Sequence, residues 1–250
     1  MSKVLLMTAA VIPKYQNEIV RSDLVLRVND YQKAILSWYK SQLFDKIVFC
    51  DNSGLSKEEL KSTLCKGSEE ISKIIDLIEI LTYNDEPDFR YHYGYSELGL
   101  VDFAVLNSEA LKSSTYFTKC TGRLFYPKYN KLLHHLQQEH KFSVDARSNF
   151  LWIKNQQITT QLMIFNTDFY RKELLYAKLE MTPDDYYIER FFYRKLIPYK
   201  NDPYCSFRWP IEILPDGVAA HSNKGYSTFK KHIFSMIRSF TRLAFPNFWI

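Results

Sequence analysis

Short apolar runs that stop at polar residues recur along this chain, and stretches with helical periodicity separate them. Lys3–Ile12, Ile47–Cys50 and Tyr116–Cys120 are predicted strands. Asp23–Gln42 and Tyr95–Ser113 carry apolar residues at helical spacing and are predicted helices. Because strands that alternate with helices form mainly parallel sheets covered by helices on both faces, the pattern predicts an α/β fold. A length of 250 residues suits one domain of this kind.

Further segments continue the alternation. Ser56 and Glu59 form a capping-box pattern, which predicts a helix over Ser56–Cys65. The remaining predicted helices are Tyr129–Glu139, Phe169–Lys178 and Asp185–Leu196. The remaining predicted strands are Phe150–Ile153, Gln161–Phe165 and the end of the apolar stretch Ile71–Leu81.

The positive charge of the chain is concentrated at its C-terminal end. The formal net charge is +5, and residues 1–223 contain as many Lys and Arg as Asp and Glu. The residues from 224 onward contain no acid and hold the whole excess, as Lys224, Lys230, Lys231, Arg238 and Arg242. The sequence is therefore divided into a domain over residues 1–223 and a basic tail over residues 224–250.

The tail is also amphipathic and aromatic. Its apolar residues follow helical spacing, at Phe229, Ile233, Met236, Ile237, Phe240 and Leu243, and the aromatic residues Phe245, Phe248 and Trp249 follow. A basic amphipathic helix with aromatic anchors is typical of segments that lie on an anionic membrane surface. The alternative is a final helix that packs on the core. Nucleic acid is not an expected partner, because the rest of the chain has no basic excess.

The cysteines and the lengths of the apolar runs indicate where in the cell the protein is expected. Cys50 and Cys120 lie in predicted strands and no C-x-x-C pair occurs, so buried reduced thiols are expected. The N-terminal apolar run is short and lacks a small-x-small cleavage site, which favours a strand over a signal peptide. No run reaches the about 18 apolar residues that span a bilayer. We expect a cytoplasmic protein, peripheral on the inner face of the cytoplasmic membrane.

Several common catalytic motifs are missing from the sequence. Glycine is scarce, with seven residues, and neither G-x-G-x-x-G nor G-x-x-x-x-G-K-[ST] occurs. These absences argue against dinucleotide-binding and P-loop proteins. A G-x-S-x-G nucleophile elbow is also missing, which argues against a serine hydrolase.

Polar clusters follow three of the predicted strands. They are Thr8-Ala9-Ala10, Asp51-Asn52-Ser53-Gly54 and Thr121-Gly122-Arg123. In open α/β sheets, ligands bind outside the carboxyl ends of the strands. The clusters are therefore expected to meet at one edge of the sheet and to form a ligand site.

Individual residues of these clusters suggest roles at that site. Asp51 either binds a base or ribose or caps the turn that follows it. Arg123 follows a glycine and has the planar fork that binds a diphosphate, although a structural ion pair is its alternative role. His221 lies in a loop of small residues and either reaches a phosphate or is exposed to solvent.

Carboxylates near position 185 are the candidates for a general base. Asp185 and Glu189 are four residues apart, so they share a face of the predicted helix and could line one pocket. Capping of the helix N-terminus is the alternative role for such acids. Asp145, Asp168 and the doublet His134-His135 lack the spacing of metal ligands, so no firmly bound metal or cofactor is expected.

The order of these motifs resembles that of a known enzyme family. Asp51-Asn52-Ser53-Gly54, then Gly94-Tyr95-Ser96-Glu97-Leu98-Gly99, then the strand that ends in Thr121-Gly122-Arg123 looks like bacterial polysaccharide glycosyltransferases with a GT-A-type fold. The Thr121-Gly122-Arg123 block resembles a TGR element of capsule and lipopolysaccharide O-chain transferases, some of which transfer galactofuranose. The resemblance covers roughly Lys3 to Tyr226. Each motif is short, and their order carries most of the weight.

The resemblance implies a fold, a donor and an acceptor. It implies a GT-A-like single domain, a nucleotide-sugar donor, with UDP favoured, and a lipid-linked oligosaccharide acceptor. It implies that Asp51 and Arg123 face the donor and that Glu189 lies near the acceptor. Thr8, Asn52, Thr121, Gly122 and His221 complete the expected donor-binding set, with Asp185 as the other candidate base.

The chain departs from the GT-A pattern at one point. No D-x-D metal motif follows the strand that ends in Thr121-Gly122-Arg123. Either Arg123 takes over the neutralisation of charge, or another acid such as Asp145 binds the metal. The combined prediction is an inverting hexosyltransferase of surface-polysaccharide synthesis. The alternative is a non-catalytic, membrane-associated protein that kept a nucleotide-sugar fold.

Overall fold

The computed structural model describes residues 3–14, 19–84, 86–136, 139–149, 152–182, 185, 187–219, 223–226 and 228–244. The strands in this part of the chain are β1 (Lys3–Ala9), β2 (Lys46–Asp51), β3 (Glu79–Thr82), β4 (Tyr116–Thr121), β5 (Phe142–Asn149), β6 (Trp152–Asn166) and β7 (Cys205–Ser206). The helices are α1 (Leu24–Ser41), α2 (Lys57–Cys65), α3 (Glu69–Ile74), α4 (Gly94–Asn107), α5 (Glu109–Lys112), α6 (Tyr129–His135), α7 (Thr167–Phe169), α8 (Ile188–Leu196) and α9 (Phe229–Ala244).

The strands form one mixed sheet in the order β3-β2-β1-β4-β6-β5-β7. β1 pairs in parallel with β2 and β4, and β2 pairs in parallel with β3. β6 runs antiparallel to both of its neighbours, and β7 is parallel to β5. The predicted fold class, an α/β domain with a mainly parallel sheet and flanking helices, is confirmed.

Two apolar cores cover the two faces of the sheet. Along β1, Val4 and Leu6 belong to one core and Leu5 and Met7 to the other. This alternation follows from the two-residue period of a strand. The first core packs α4 and α8 against the sheet, and the second packs α1, α2 and α3. Because both faces are covered, polar side chains of the central strands reach solvent only at the strand ends.

Local signals set several element boundaries. Asp23 accepts a hydrogen bond from the Leu26 amide and starts α1. The predicted capping box of Ser56 and Glu59 is present at the start of α2. Ser108 ends α4 and caps α5, so the predicted helix Tyr95–Ser113 is divided in two.

The hairpin of β5 and β6 differs most from the sequence-based expectation. The predicted strand Gln161–Phe165 is the end of the long strand β6, and β5 was not predicted. In β5 a buried Asp145 interrupts the apolar pattern, and its partner Arg242 lies 97 residues away in sequence. No local pattern can signal such a pairing.

Two predicted helices also have other bounds in the structure. α8 begins at Ile188, so Asp185 precedes it and does not share its face with Glu189. The predicted helix Phe169–Lys178 is replaced by the end of α7 and short turns of π and 3-10 geometry.

Helix α9 docks on the domain through its polar side. The polar stripe that faces the domain consists of Ser235, Arg238, Ser239 and Arg242. The Arg242 guanidinium lies 2.9 Å from a carboxylate oxygen of the fully buried Asp145, and Arg238 lies 2.9 Å from Glu212. The Glu212 amide donates to the Ser239 hydroxyl. Two of the five tail cations are therefore structural ion-pair partners.

The apolar side of α9 faces outward. Phe229, Met236 and Phe240 are 83%, 73% and 72% exposed. Phe245, Phe248 and Trp249 lie outside the described residues. In the part of the chain that the structure describes, no helix is both long and apolar enough to cross a membrane. The division of the chain at residue 223 stays a prediction.

Candidate functional site

A cleft with a volume of about 580 Å³ opens at the carboxyl ends of β1 and β4. The chain leaves β1 toward β2 and β3 on one side, and β4 lies on the other. The cleft therefore lies at the point where the strand order reverses, which is where open α/β sheets bind ligands. We call it the first cleft.

The structure brings five of the predicted site residues together. The lining of the first cleft includes Thr8, Asn52, Thr121, Arg123 and Glu189. The strand-end clusters therefore meet at one edge, as the sequence predicted.

Three other predicted residues are not among those that line this cleft. They are Asp51, Gly122 and Asp185. His221 lies outside the described residues. The binding and catalytic roles assigned to all of these residues stay predictions.

Asp51 supports the loop that follows β1. Its carboxylate accepts hydrogen bonds from the amides of Val11 and Ser53, at 2.7 and 2.8 Å. Burial raises the pKa of Asp51, although these hydrogen bonds and the nearby Arg27 oppose the shift. The carboxylate thus ties the end of β2 to the loop that forms one wall of the first cleft.

The same loop is held from α1. The Arg27 guanidinium donates to the carbonyl oxygens of Ala10 and Arg21, at 3.0 and 2.9 Å. The Ala10 amide donates to the Tyr31 hydroxyl at 3.0 Å. Buried backbone groups of an irregular segment need such partners. These hydrogen bonds therefore connect the described part of this wall to α1.

Gly122 is required by close packing. Its amide donates to the Thr8 carbonyl at 2.8 Å. A Cβ at this position would lie 2.8 Å from that carbonyl oxygen and 3.0 Å from the Tyr31 ring. Glycine therefore lets the backbone after β4 approach β1 and sets the position of Arg123.

Arg123 projects from this turn into the first cleft. Arg123 is 7% exposed, and its Nη1 donates to the Val218 carbonyl at 2.7 Å. Burial raises the pKa of the nearby Tyr226 hydroxyl, and the charge of Arg123 partly offsets that shift. The other N–H groups of the guanidinium can donate to a phosphate, which a planar fork binds with two hydrogen bonds.

A buried lysine organises the opposite side of the first cleft. Lys119 is 1% exposed, and its Nζ lies 2.6 Å from Glu97 Oε1 and 2.6 Å from the Thr160 carbonyl oxygen. The Thr8 hydroxyl also donates to Glu97 Oε1, at 2.8 Å. Side chains of β1, β4 and α4 are thereby joined in one network, together with the backbone of β6.

Glu189 lies next to this network, in the first turn of α8. Its Oε1 is 3.5 Å from the Thr160 hydroxyl. Burial raises the pKa of Glu189, the charge of Glu97 adds to the shift, and the Lys119 ammonium partly offsets it. A half-buried carboxylate with a raised pKa is suited to accept a proton from a ligand hydroxyl.

Asp185 has a different environment. Its carboxylate accepts hydrogen bonds from Arg194 and from the backbone and hydroxyl of Thr182. Burial would raise the pKa of Asp185, but these partners outweigh it and hold the pKa below its usual value. The carboxylate is therefore engaged in holding the chain just before α8.

Positive charge exceeds negative charge along the first cleft. Lys14, Arg27, Arg123 and Arg190 line it, together with Glu97 and Glu189. Among the described residues, no group of three or more His, Cys, Asp or Glu side chains could hold a metal ion. Asp145 is instead ion-paired with Arg147 and Arg242 beneath α9.

Glu97 and Tyr226 line the first cleft, and Lys119 lies behind it, yet the sequence pattern predicts a role at the site for none of the three. One signal is present in the sequence, because a lysine inside a strand that is predicted to be buried requires a buried partner. The sequence does not indicate that this partner comes from α4.

No protein-family model and no curated protein sequence matches this chain. The inositol-1-phosphate CTP transferase from T. maritima is similar in structure, with a TM-score of 0.50 and 10% identity over 96% of each chain. 4-Diphosphocytidyl-2C-methyl-D-erythritol synthase from Anaerococcus prevotii DSM 20548 has a TM-score of 0.47 and 12% identity, over 95% of this chain and 97% of that one. The glycosyltransferase GlyE in Streptococcus pneumoniae TIGR4 has a TM-score of 0.48 and 10% identity, over 83% of this chain and 45% of that one.

These likenesses concern the fold. The similar structures include nucleotidyltransferases and a glycosyltransferase. The galactofuranosyltransferase-like group named from the TGR element stays a prediction.

The network predicts how the charge of Glu97 acts on Glu189. Glu97→Gln should lower the pKa of Glu189, because it removes a negative neighbour while the Lys119 ammonium remains. The measurement is an NMR titration of ¹³C-labelled glutamate carboxyl groups, with the Glu189 signal assigned from its loss in Glu189→Gln. Glu109→Gln, on the surface helix α5, is the control and should leave the titration unchanged. An unchanged or higher pKa of Glu189 in Glu97→Gln would contradict the coupling.

Proposed function

We propose that the protein is a glycosyltransferase that moves a sugar from a nucleotide-sugar donor to a saccharide acceptor. The observation that carries the proposal is the first cleft, where an excess of positive charge at the strand-order reversal lies beside the raised-pKa carboxylate of Glu189. The fold likeness to a CTP transferase supports a nucleotide in this position. Such a cleft offers cations to a diphosphate and a base to a hydroxyl.

The proposed reaction is a single displacement at the anomeric carbon of the donor. The acceptor oxygen forms a bond to that carbon while the bond to the diphosphate oxygen breaks, and Glu189 takes the proton of the acceptor hydroxyl. Arg123 stabilises the charge that develops on the leaving nucleoside diphosphate. A displacement of this kind inverts the anomeric configuration.

The other predicted residues keep supporting roles in this proposal. Thr8, Asn52 and Thr121 line the same cleft as Arg123 and would contact the donor. Asp51 and Gly122 would act on the donor through the loops that they fix. His221 would add to the charge on the diphosphate.

The biological setting follows from the motif resemblance. We propose a UDP-sugar donor, with UDP-galactofuranose as one candidate, and a lipid-linked oligosaccharide acceptor in bacterial surface-polysaccharide synthesis. The enzyme would act at the inner face of the cytoplasmic membrane, where such acceptors are held.

Helix α9 supports the membrane part of the proposal. Its polar side contacts the domain, so its apolar side stays exposed in the described structure. Lys230 and Lys231 are exposed on the same helix. Exposed apolar residues beside cations suit the boundary of an anionic bilayer.

Donor binding tests the central claim. A thermal-shift screen against UDP-, GDP-, CMP- and dTDP-sugars, with and without divalent metal, should give stabilisation by UDP-sugars. Arg123→Ala should weaken donor binding by about tenfold or more, because charge-assisted hydrogen bonds to the diphosphate are lost. Arg171→Ala, which removes a surface arginine paired with Asp168, is the control and should bind like the wild type. Absence of any shift would favour the non-catalytic alternative.

The assignment of the base is tested by kinetics. Glu189→Gln should lower kcat about a hundredfold or more while the donor Kd stays unchanged, because a base acts in the transition state. The assay is the release of UDP from the UDP-sugar by hydrolysis, which needs no acceptor. Asp185→Asn should keep kcat near the wild-type value. The opposite ranking of the two variants would assign the base to Asp185.

Vesicle binding tests the outward face of α9. Phe240→Ser should weaken binding to phosphatidylglycerol vesicles by about tenfold or more, because a buried phenyl ring is lost from the bilayer boundary. Phe89→Ser is the matched control, since Phe89 is 73% and Phe240 is 72% exposed. Equal binding by both variants would exclude this face as the membrane contact.

A further inference from the structure

A second cleft opens beside the first, with a volume of about 400 Å³. It lies between β6, residues 209–215 and α9. Gln157, Thr160, Gln161, Glu189 and Tyr226 line both clefts. Glu189 therefore lies at the junction of the two.

Two buried polar atoms of the residues that line the second cleft have no hydrogen-bond partner in the described part of the chain. They are Nε1 of Trp209 and Oε2 of Glu212. The two residues are 1% and 5% exposed. Buried polar groups are nearly always hydrogen-bonded, because leaving one unpaired is costly. An N–H donor and a carboxylate acceptor together match a ligand hydroxyl, which accepts one hydrogen bond and donates another.

The charges around the second cleft favour a neutral ligand. Glu212 lies 3.0 Å from Arg147 and 2.9 Å from Arg238, so its charge is already compensated by the protein. Arg147 is also paired with Asp145, and the remaining cation of this cleft, Lys231, donates to the Gly225 carbonyl and lies over the Tyr226 ring. Aromatic side chains of Tyr126 and Phe234 also line the second cleft. Hydroxyl-binding groups beside aromatic surface suit a sugar better than a phosphate.

We propose that the second cleft binds the saccharide of the acceptor, with a hydroxyl held between Trp209 and Glu212. A saccharide there would present another hydroxyl at the junction, within reach of Glu189 and of the donor in the first cleft. The proposal rests on the proposed function for its acceptor role, while the binding of a saccharide in the second cleft can be tested separately.

The test uses the full-length protein and simple sugars as probes. Methyl α- and β-glycosides of glucose, galactose, mannose and rhamnose are screened by saturation-transfer difference NMR, with and without saturating UDP. At least one glycoside should bind saturably, and UDP should not displace it. Displacement by UDP would place the sugar in the first cleft and overturn the proposal. Binding of UDP without binding of any glycoside would overturn it as well.

Two pairs of variants locate the binding site. Trp209→Phe should weaken glycoside binding about tenfold, because the indole N–H is lost. Trp38→Phe removes another fully buried indole, whose Nε1 donates to the Leu124 carbonyl, and should keep glycoside binding. Leu214→Trp should fill the second cleft and abolish binding, whereas Leu179→Trp, at a 73% exposed position, should not.

The thermal shift with UDP separates the outcomes. A Trp209→Phe or Leu214→Trp variant that keeps the UDP shift is folded, so its loss of glycoside binding supports the proposal. Wild-type glycoside binding in both variants would overturn it. Absence of UDP binding, together with glycoside binding that depends on Trp209, would remove the transferase function and retain the saccharide cleft.

Discussion

The ammonium group of Lys119 lies almost completely buried in the central part of the sheet, and the candidate site is arranged around its charge. A buried cation is stable only with a close carboxylate and further hydrogen bonds, and Glu97 and the Thr160 carbonyl supply them. These contacts fix α4 and β6 relative to β4. A second carboxylate, that of Glu189, lies beside this pair, 3.5 Å from the Thr160 hydroxyl. Because the burial of Glu189 and the charge of Glu97 both disfavour ionisation, the Glu189 carboxylate is more basic than a surface glutamate.

Helix α9 contacts the domain with its polar side and turns its apolar side outward. An amphipathic helix on a soluble domain usually buries its apolar stripe. Here the side that contacts the domain carries the partly exposed Arg238 and the buried Arg242, and the apolar stripe faces outward. Ion pairs between buried groups add little net stability, because desolvation offsets their attraction. They do specify orientation, since a helix rotated by half a turn would leave Asp145 and Glu212 buried without these partners. The pairing therefore keeps the apolar side available to something outside the domain.

The sequence predicted the strands, helices and caps that depend on local residue patterns. It did not predict the ion pairs between residues that are far apart in the chain. The apolar runs and caps predicted β1, β2, β4, α1 and α2, and the strand-end clusters predicted that Thr8 and Arg123 would meet. Sequence patterns did not predict the contacts in which a buried charge is paired with a residue that is distant in the chain. Asp145 in β5 and Lys119 in β4 interrupt apolar patterns, and only the fold supplies Arg242 and Glu97. The position of Asp185 was missed for a related reason, because Arg194 and Thr182 hold it outside the start of α8.

Helix α9 contributes residues to the second cleft on one side and exposes apolar residues on the other. Lys231, Phe234 and Arg238 of α9 line the second cleft, while Phe240 and Met236 of the same helix face outward. A helix that rests on a lipid surface with its outer side would hold the second cleft close to that surface. In the proposed reaction, a lipid-linked saccharide would enter the second cleft while its lipid stays in the bilayer, and its reacting hydroxyl would meet Glu189 at the junction. The proposed nucleotide-sugar donor would reach the first cleft from the strand ends, so donor and acceptor would not compete for one entrance.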